Sequence, residues 1–299
     1  MKVIKKCMST GDKIYQGLSY GATFFVLIIT IYPFIYVMSM SLSSSTNVLN
    51  QSVWLLPKGL SLDSYRIIFR DKAVWTSYYN TLWYVVVGTS ISVIMTILTA
   101  YPLSRQKFFL KNYVMAFITF TMFFGGGLIP AFININQLGL FNTRWAIVIP
   151  SAVSAWYIII ARTFFKSLPE SLFESANIDG ATDLQVLVKI VIPLSMPILS
   201  VLVLFYAISR WNEYFSAMLY LVNKDLHPLQ LYLKRVLIEN SNEYMTNNPA
   251  LEATNVNAVG VTEQIKYSLI IVATLPVICV YPFLQKYFVK GMMIGAIKG

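Results

Sequence analysis

The sequence predicts an all-α integral membrane protein with six transmembrane helices. Hydrophobic residues account for 57% of its 299 residues and charged residues for only 12%, which is about half the charged fraction of a typical soluble domain. Six stretches are apolar over, or close to, the roughly 20 residues that a helix needs to cross a bilayer. Prolines recur inside these stretches, and membrane helices tolerate them where neighbouring helices satisfy the freed backbone groups.

The transmembrane part is expected to form one domain over residues 18–290, between a cytoplasmic tail at 1–17 and another at 291–299. The first span is interpreted as uncleaved, because its apolar run is longer than that of a secretory signal peptide and no small-residue cleavage site follows it closely. The fourth span is short, and Arg144 and Arg162 at its ends can extend to the interfaces. The spans are predicted at about 18–42, 76–103, 112–133, 143–163, 188–221 and 265–286.

Both termini are expected on the cytoplasmic side, because an even number of spans returns the chain to the side where it began. This orientation places 13 of the 23 lysine and arginine residues in the inner segments, and cytoplasmic loops are typically rich in these residues. The net charge of +10 is therefore interpreted as a sign of membrane orientation. Nucleic-acid binding would instead need a basic soluble face, and the sequence contains no such segment.

The sequence offers no candidate catalytic, cofactor or metal site. Its two cysteines, Cys7 and Cys279, are far apart and form neither a disulfide framework nor a metal-binding pattern. His227 is its only histidine, so a metal site built on several histidines is excluded. No Gly-Lys dipeptide occurs, so the chain has no P-loop for ATP. We therefore predict that the chain is not an enzyme.

Two features are expected on the outer side, in the segment before the last span. Residues 229–237 carry apolar side chains at the spacing of one helix face, which predicts an amphipathic helix lying at the outer surface. These side chains are Leu229, Tyr232, Leu233, Val236 and Leu237. The residues that follow, up to about 257, are polar and rich in asparagine. This composition is typical of a loop that projects into water.

The stretch from Ser167 to Pro197 differs from the rest of the chain, because four carboxylates lie within its residues 170–183. Ser167 and Glu170 have the spacing of a capping box, which predicts a short helix from Pro169 to Asp179. Gly180 would end that helix in a left-handed conformation. Thr182 and Gln185 offer a second capping box for a helix that leads into the fifth span. The stretch therefore predicts two short helices that meet at a glycine on the cytoplasmic face.

The segment "ESANIDGATDLQVLVKIVIP" resembles the cytoplasmic signature loop of ABC importer permeases. That loop has the pattern Glu-Ala-Ala, three residues, Gly, nine residues, Ile, one residue, Leu-Pro. Ser175 replaces an alanine and Ile192 replaces the leucine of the pattern, which are mild departures. The residues that match in register are Glu174, Ala176, Gly180, Ile190 and Pro193.

Other segments are similar to the second permease subunit of maltose-type carbohydrate importers, and together they cover most of the chain. They are "LSLDSYRIIF", "WNEY" and "YFVKGMMIGAIKG", while "FFGGGLIPAFININQLGLFNT" resembles the subgroup that imports complex oligosaccharides. The resemblance implies the type I ABC importer permease fold, with a coupling helix between helices 4 and 5 in a loop at 167–187. It also implies a bacterial cytoplasmic membrane, a second homologous permease subunit, two ATPase subunits that carry ATP and Mg, and an external sugar-binding protein.

The resemblance suggests functional residues, each with a simpler alternative. The loop residues would contact the ATPase, although charge runs are usually just solvated turns. The C-terminal residues Lys298 and Gly299 would contact the ATPase too, although chain ends often fray. The outer loop residues Asn247, Asn248 and Asn255 would contact the binding protein. The candidate coupling residues are Glu170, Phe173, Glu174, Ser175, Ala176, Asp179, Gly180 and Pro193.

Charge inside the fifth span suggests a translocation path or gate, because ionisable side chains within spans usually face a cavity or a partner. The candidates are Arg210, Trp211, Asn212 and Glu213. The alternative is an interfacial belt in which Arg210 and Glu213 form one ion pair at i, i+3. Three glycines in the third span, at 125–127, are interpreted as a face for close helix packing in preference to a bend.

The resulting hypothesis is a permease subunit of an ATP-driven importer that takes an oligosaccharide from an external binding protein. An ion-coupled secondary transporter or channel is the alternative. Such carriers usually have more spans, or inverted repeats with paired ionisable residues at mid-membrane. No repeat is visible here, and only Arg210 and Glu213 could form such a pair.

Overall fold

The computed structural model describes the chain from Thr10 to Glu239 and from Ala258 to Ala296. These residues are largely helical and contain no strand, apart from one antiparallel bridge between Ser43 and Leu60. The predicted all-α class is therefore confirmed. In chain order the helices are α1 (Thr10–Leu42), α2 (Ser45–Leu49), α3 (Asp63–Arg70), α4 (Lys72–Ser104), α5 (Lys111–Phe123), α6 (Leu128–Gln137), α7 (Trp145–Val148), α8 (Ala155–Lys166), α9 (Glu170–Ile178), α10 (Asp183–Val186), α11 (Ile192–Leu194), α12 (Met196–Trp211), α13 (Phe215–Tyr220), α14 (Leu229–Lys234) and α15 (Ala258–Ala296).

Three helices of the described chain are long and apolar enough to cross a membrane, namely Lys13–Leu42, Lys72–Ser104 and Gly260–Val280. Two bent pairs of helices also pass this test when each pair is taken together, which gives up to five spans. The pairs are α5 with α6 and Asp183–Leu194 with α12. The count of six spans therefore stays a prediction, while the multi-span membrane character follows from these lengths and compositions.

The third predicted span is not a single helix, because α5 and α6 meet at 116°. The glycines lie in this break, and Gly127 has a φ of +81°, a conformation that L side chains rarely adopt. A Cβ built on Gly125 or Gly126 would meet no atom within 4 Å. Within the described part of the chain these glycines therefore form a bend and do not pack closely against another helix.

The fifth predicted span is also broken. Helix α12 starts directly after Ser195, and it makes an angle of 82° with the segment Asp183–Leu194. Pro197 lies in the first turn of α12, where a missing backbone N–H removes no helical hydrogen bond. A π-helical turn at Leu187–Val191 precedes the break. Pro197 therefore begins a new helix here rather than kinking one long helix.

Contacts divide the described residues into two compact units. The first comprises the chain up to Arg70 and the part of α15 that ends at Val272. Its core includes Met40, Val48 and Val53. Buried polar contacts join α15 to the other elements of this unit, including a 2.7 Å hydrogen bond between the hydroxyls of Ser64 and Ser268.

The second unit runs from Asp71 to Glu239 and includes α15 from Ala273 onward. Helix α4 is its central element, because α8, α12 and α14 all pack on it. One apolar cluster gathers around Tyr101, Phe165 and Phe173 near the C-terminal end of α4. Another gathers around Tyr84, Ile147 and Leu231 nearer its N-terminal end.

The predicted amphipathic helix forms as α14, but it packs inside the second unit instead of lying at an outer surface. Leu229 is 1% exposed and belongs to a cluster with Trp211. Leu231, which lies outside the predicted apolar stripe, is also buried, against Tyr84. The hydroxyl of Thr81 accepts a 2.8 Å hydrogen bond from the Leu229 backbone N–H. The helix is buried because both of its faces carry apolar residues.

Candidate functional site

The acidic stretch contains the short helix α9, which begins one residue after Pro169. The predicted capping box between Ser167 and Glu170 is absent. Ser167 belongs to the end of α8, and its hydroxyl donates a 2.7 Å hydrogen bond to the carbonyl of Phe164. Pro169 occupies the N-cap position of α9 without a side-chain hydrogen bond.

The end of α9 follows the sequence prediction closely. Asp179 is the C-cap residue, and Gly180 has a φ of +74°. A Cβ on Gly180 would meet no atom within 4 Å, so only the backbone conformation demands glycine there. Thr182 and Gln185 form the predicted capping box at the start of α10, with hydrogen bonds of 3.3 and 2.9 Å. The two helices thus meet at a glycine, as expected.

The candidate coupling residues divide into a buried and an exposed group. Phe173 and Ala176 are 5% and 7% exposed and belong to the large apolar cluster near the end of α4. These two side chains therefore hold α9 in place and do not face a partner, contrary to the direct contact suggested for them. Glu170, Glu174, Ser175, Asp179, Gly180 and Pro193 are exposed.

Glu174 lies on the exposed side of α9. Among the described residues it makes no hydrogen bond and no ion pair. Glu170, in contrast, lies at the first turn of α9 with its Oε2 atom 4.0 Å from Nη1 of Arg105. The exposed face of α9 therefore presents at least one carboxylate with no partner in the described chain.

Arg105, which follows α4, is a residue that the sequence patterns did not single out. Its guanidinium carbon lies 3.5 Å from the centre of the Phe173 ring. Burial lowers the pKa of Arg105, and the charge of Glu170 opposes that shift. A cleft of about 440 Å³ lies beside these contacts, between the end of α4 and the helices α9 and α10. No local spacing could have revealed this contact, because Arg105 and Phe173 are far apart in the sequence.

Arg210 does not line an open path in this structure, because only 3% of its surface is exposed. Its guanidinium donates hydrogen bonds to the backbone carbonyls of Ile147, Val148 and Ser151 at 2.9, 3.3 and 2.9 Å. The hydroxyls of Ser92 and Ser151 accept further bonds from it. These carbonyls lie where α7 ends and the chain turns before α8. Arg210 therefore satisfies the backbone of a broken helix, a role in which a buried cation is compensated by several acceptors.

The other three candidates for the translocation path, Trp211, Asn212 and Glu213, have different surroundings. Trp211 is 7% exposed, and its indole N–H donates a 3.2 Å hydrogen bond to the carbonyl of Ala273. Glu213 accepts a 2.9 Å hydrogen bond from the backbone N–H of Ser216 at the start of α13. No ion pair joins Arg210 and Glu213, both of which the structure describes. Asn212 is exposed, so it and the half-buried Glu213 remain the accessible members.

Five predicted contact residues lie outside the described part of the chain. They are Asn247, Asn248, Asn255, Lys298 and Gly299. Their suggested contacts, with the binding protein and with the ATPase, stay predictions.

Comparison with known proteins identifies what this arrangement is similar to. Residues 88–294 match the family described as "Binding-protein-dependent transport system inner membrane component". The matched region includes α9, Gly180 and the broken fifth span.

Two curated relatives come from Bacillus subtilis (strain 168). The polygalacturonan/rhamnogalacturonan transport system permease protein YtcP is 37% identical over 294 residues, covering 96% of this chain and 99% of that protein. Protein LplC is 38% identical over 271 residues, covering 91% of this chain and 90% of LplC.

One solved structure is similar to this chain over almost the whole length of both. It is a crystal structure of a bacterial ABC transporter involved in the import of the acidic polysaccharide alginate. The matching chain is 38% identical, with a TM-score of 0.89, and the match covers 95% of this chain and 100% of that one. At this identity and coverage the similarity extends to both units of the chain.

Proposed function

The chain belongs to the family of binding-protein-dependent transport system inner membrane components, and from this premise we propose that it is the translocation subunit of an ATP-driven oligosaccharide importer. In this role it would take a sugar from an external binding protein and carry it across the cytoplasmic membrane. The resemblance identified in the sequence is confirmed by the family and by the sugar-transport permeases among the relatives. The same finding favours this function over an ion-coupled carrier or channel.

The observation that supports this function best is the geometry of α9. Two of its side chains, Phe173 and Ala176, anchor it in the apolar cluster, while Glu174 and Asp179 are exposed on it. A helix held in this way can bear on a partner protein and transmit force to the spans behind it. We propose that the partner is an ATPase subunit, which would carry ATP and Mg, since this sequence has no P-loop of its own.

The assembly is proposed to contain a second homologous permease subunit, two ATPase subunits and an external sugar-binding protein. The segment at 240–257 would contact the binding protein, and the C-terminal residues would contact the ATPase dimer. Of the path candidates, Asn212 and Glu213 remain in the proposal. Arg210 and Trp211 are withdrawn from it, because their polar groups are already bonded within the chain.

An acidic oligosaccharide is the first substrate class to test. The solved relative is described as importing an acidic polysaccharide, and the name of YtcP specifies polygalacturonan, which is a polymer of a sugar acid. These two proteins are 38% and 37% identical to this chain. Relatives named for arabinooligosaccharides are 25% and 24% identical to this chain. Neutral pentose oligomers are therefore the second substrate class to test.

The experiment compares two glycines whose backbones have the same left-handed conformation. Gly180 has a φ of +74° and Gly139 a φ of +68°, and a Cβ on either would meet no atom within 4 Å. Replacing either by alanine should therefore cost about 1 kcal/mol of backbone strain. We expect Gly180→Ala to reduce sugar uptake strongly and Gly139→Ala to leave it near the wild-type rate.

Two stronger variants separate docking from coupling. Gly180→Asp and Glu174→Lys should leave the protein in the membrane but abolish uptake, and co-purification of the ATPase shows whether docking or energy transfer has failed. Normal ATP-dependent uptake in both variants would show that α9 and Gly180 do not couple this chain to an ATPase. Wild-type uptake that follows an ion gradient and not ATP would show that the importer proposal is wrong.

A further inference from the structure

We infer that Arg105 is a positioning residue that ties α9 to the end of α4, so that a displacement of one helix is carried to the other. The inference deepens the proposed function and rests on it, because α9 is the helix proposed to bear on the ATPase. It concerns the connection behind that helix, inside this chain.

Arg105 contacts three different elements of the second unit. Nη2 donates a 3.0 Å hydrogen bond to the carbonyl of Phe165 in α8. The guanidinium carbon lies over the Phe173 ring of α9, 3.5 Å from its centre, which is close for a cation–π contact. Nε donates a 3.1 Å hydrogen bond to the hydroxyl of Ser104, the last residue of α4. One side chain thus joins the ends of α4 and α8 to the first turns of α9.

One donor of this side chain is not used. Nη1 of Arg105 is buried and has no hydrogen-bond partner. Its nearest charge partner is Oε2 of Glu170, at 4.0 Å, which is longer than a hydrogen bond. A small approach of the N-terminal turn of α9 would let this pair form a charge-assisted hydrogen bond, and a retreat would leave the donor unpaired. The contact therefore favours one position of α9 over another, as coupling between two sites requires.

The side chain at this position has to be arginine. A planar guanidinium can stack on a ring while its edge donates to acceptors in the plane, whereas the compact ammonium of lysine cannot do both at once. The Phe173 ring is buried beneath it, so the contact also covers the apolar cluster. A basic residue that served only the orientation of the chain in the membrane would not need this geometry.

Arg162 provides a matched control. Its Nε donates a 2.9 Å hydrogen bond to the carbonyl of Leu103, so it also ties α8 to the end of α4. It is an arginine in the same region of the chain, bonded to a backbone carbonyl of another element. Unlike Arg105, it makes no hydrogen bond or ion pair with α9 within the described residues. Arg162→Lys therefore removes the arginine contact between α8 and α4 but leaves the proposed α4–α9 connection intact.

The experiment uses the complete importer, with both permease subunits and both ATPase subunits, reconstituted with its loaded binding protein. Arg105→Lys should retain the bound ATPase subunits but lose substrate-stimulated ATP hydrolysis on the order of fivefold or more. Arg162→Lys should change it by less than about twofold, and Glu170→Gln should give an intermediate loss. Wild-type stimulation in Arg105→Lys would overturn the inference, and so would equal losses in Arg105→Lys and Arg162→Lys.

A second measurement does not depend on the proposed function. Cys7 and Cys279 are first replaced by serine, and spin labels are then attached through Lys107→Cys and Asn177→Cys, which lie after α4 and on α9. The distance between the labels should have one narrow distribution, which Arg105→Lys broadens and Arg162→Lys does not. An unchanged label-to-label distance distribution in Arg105→Lys would show that Arg105 does not hold α9 to the end of α4. If Arg105→Lys broadens the distribution while the wild-type assembly shows no ATP-driven uptake, the α4–α9 connection stands and the importer function is rejected.

Discussion

A side chain on Gly88 would place its Cβ 2.9 Å from Nε of Arg210. Gly88 lies on α4 and Arg210 near the end of α12, and the two helices approach closely at this point. The guanidinium cannot give way easily, because its hydrogen bonds to Ile147, Val148 and Ser151 fix it. Glycine on one helix thus makes room for the cation that completes the broken backbone after α7.

The first prediction concerns this pair. Gly88→Ala should lower the stability of the purified protein by about 2–4 kcal/mol, because the methyl group displaces a buried charged group from several of its acceptors. A clear fall in the thermal unfolding midpoint in detergent or nanodiscs would show the effect. Gly21→Ala, at a helical glycine of α1 with no atom within 4 Å of the built Cβ, is the control and should not lower the midpoint.

A double-mutant cycle tests the cause of that effect. Arg210→Met should itself destabilise the chain, because the carbonyls of Ile147, Val148 and Ser151 each lose one donor. Gly88→Ala should then cost much less in the Arg210→Met background than in the wild type, since the crowded group is gone. Additive effects of the two changes would contradict the clash with Arg210.

The second prediction concerns Gly260 in the first unit. Its built Cβ would lie 2.8 Å from the backbone carbonyl oxygen of Ser45. Backbone atoms cannot move aside as a side chain can, so Gly260→Ala should cost about 1–3 kcal/mol through overpacking. The thermal unfolding midpoint of Gly260→Ala, compared with that of the Gly21→Ala control, measures this loss of stability. Replacing Ser45 by alanine or glycine in the Gly260→Ala variant should not restore the lost stability. A full recovery of stability would show that the clash is with the Ser45 side chain instead.

The third prediction is a pH dependence that comes from His227. Burial lowers the pKa of this histidine, and the nearby charge of Arg235 lowers it further, while Lys224 acts in the same sense and Asp225 against it. The unfolded chain therefore binds this proton more readily than the folded chain. Stability should be intact above the ordinary pKa of about 6.5 and should fall as the pH drops below it, by at most about 1.4 kcal/mol per pH unit.

Thermal unfolding at about pH 7.5 and about pH 5.5 measures this dependence. The variant His227→Gln removes the titrating group and keeps an amide N–H that can reach the Leu221 carbonyl, which lies 3.2 Å from Nε2 of the histidine. The drop in midpoint between the two pH values should be smaller in the variant. Identical drops would assign the acid sensitivity to other groups.

The fourth prediction concerns topology. If both termini and α9 are cytoplasmic, a single cysteine at position 174 should not react with a membrane-impermeant reagent in intact cells. A single cysteine at position 247, in the polar segment after α14, should react. Both variants need Cys7 and Cys279 replaced first. Labelling of position 174 from outside would reverse the proposed orientation.

Local signals were predicted well from the sequence. The end of α9 at Gly180 and the capping box of Thr182 and Gln185 follow from residues no more than four apart, whose backbone preferences do not depend on distant neighbours. The Ser167 capping box failed although its spacing is correct. The preceding helix extends to Lys166, so Ser167 closes α8 and cannot also begin α9.

The sequence by itself determined the membrane-spanning class, the absence of a P-loop, the signature stretch and its glycine, because these depend on composition and on short spacings. Only the tertiary structure decided which side chains are available. Arg105 meets Phe165 across 60 residues and Arg210 meets Ile147 across 63, and no periodicity encodes such distances. It also decided that Phe173 anchors α9 and that Arg210 completes a broken helix. The physical reason is that a buried cation takes the acceptors that packing brings to it, and packing depends on the whole chain.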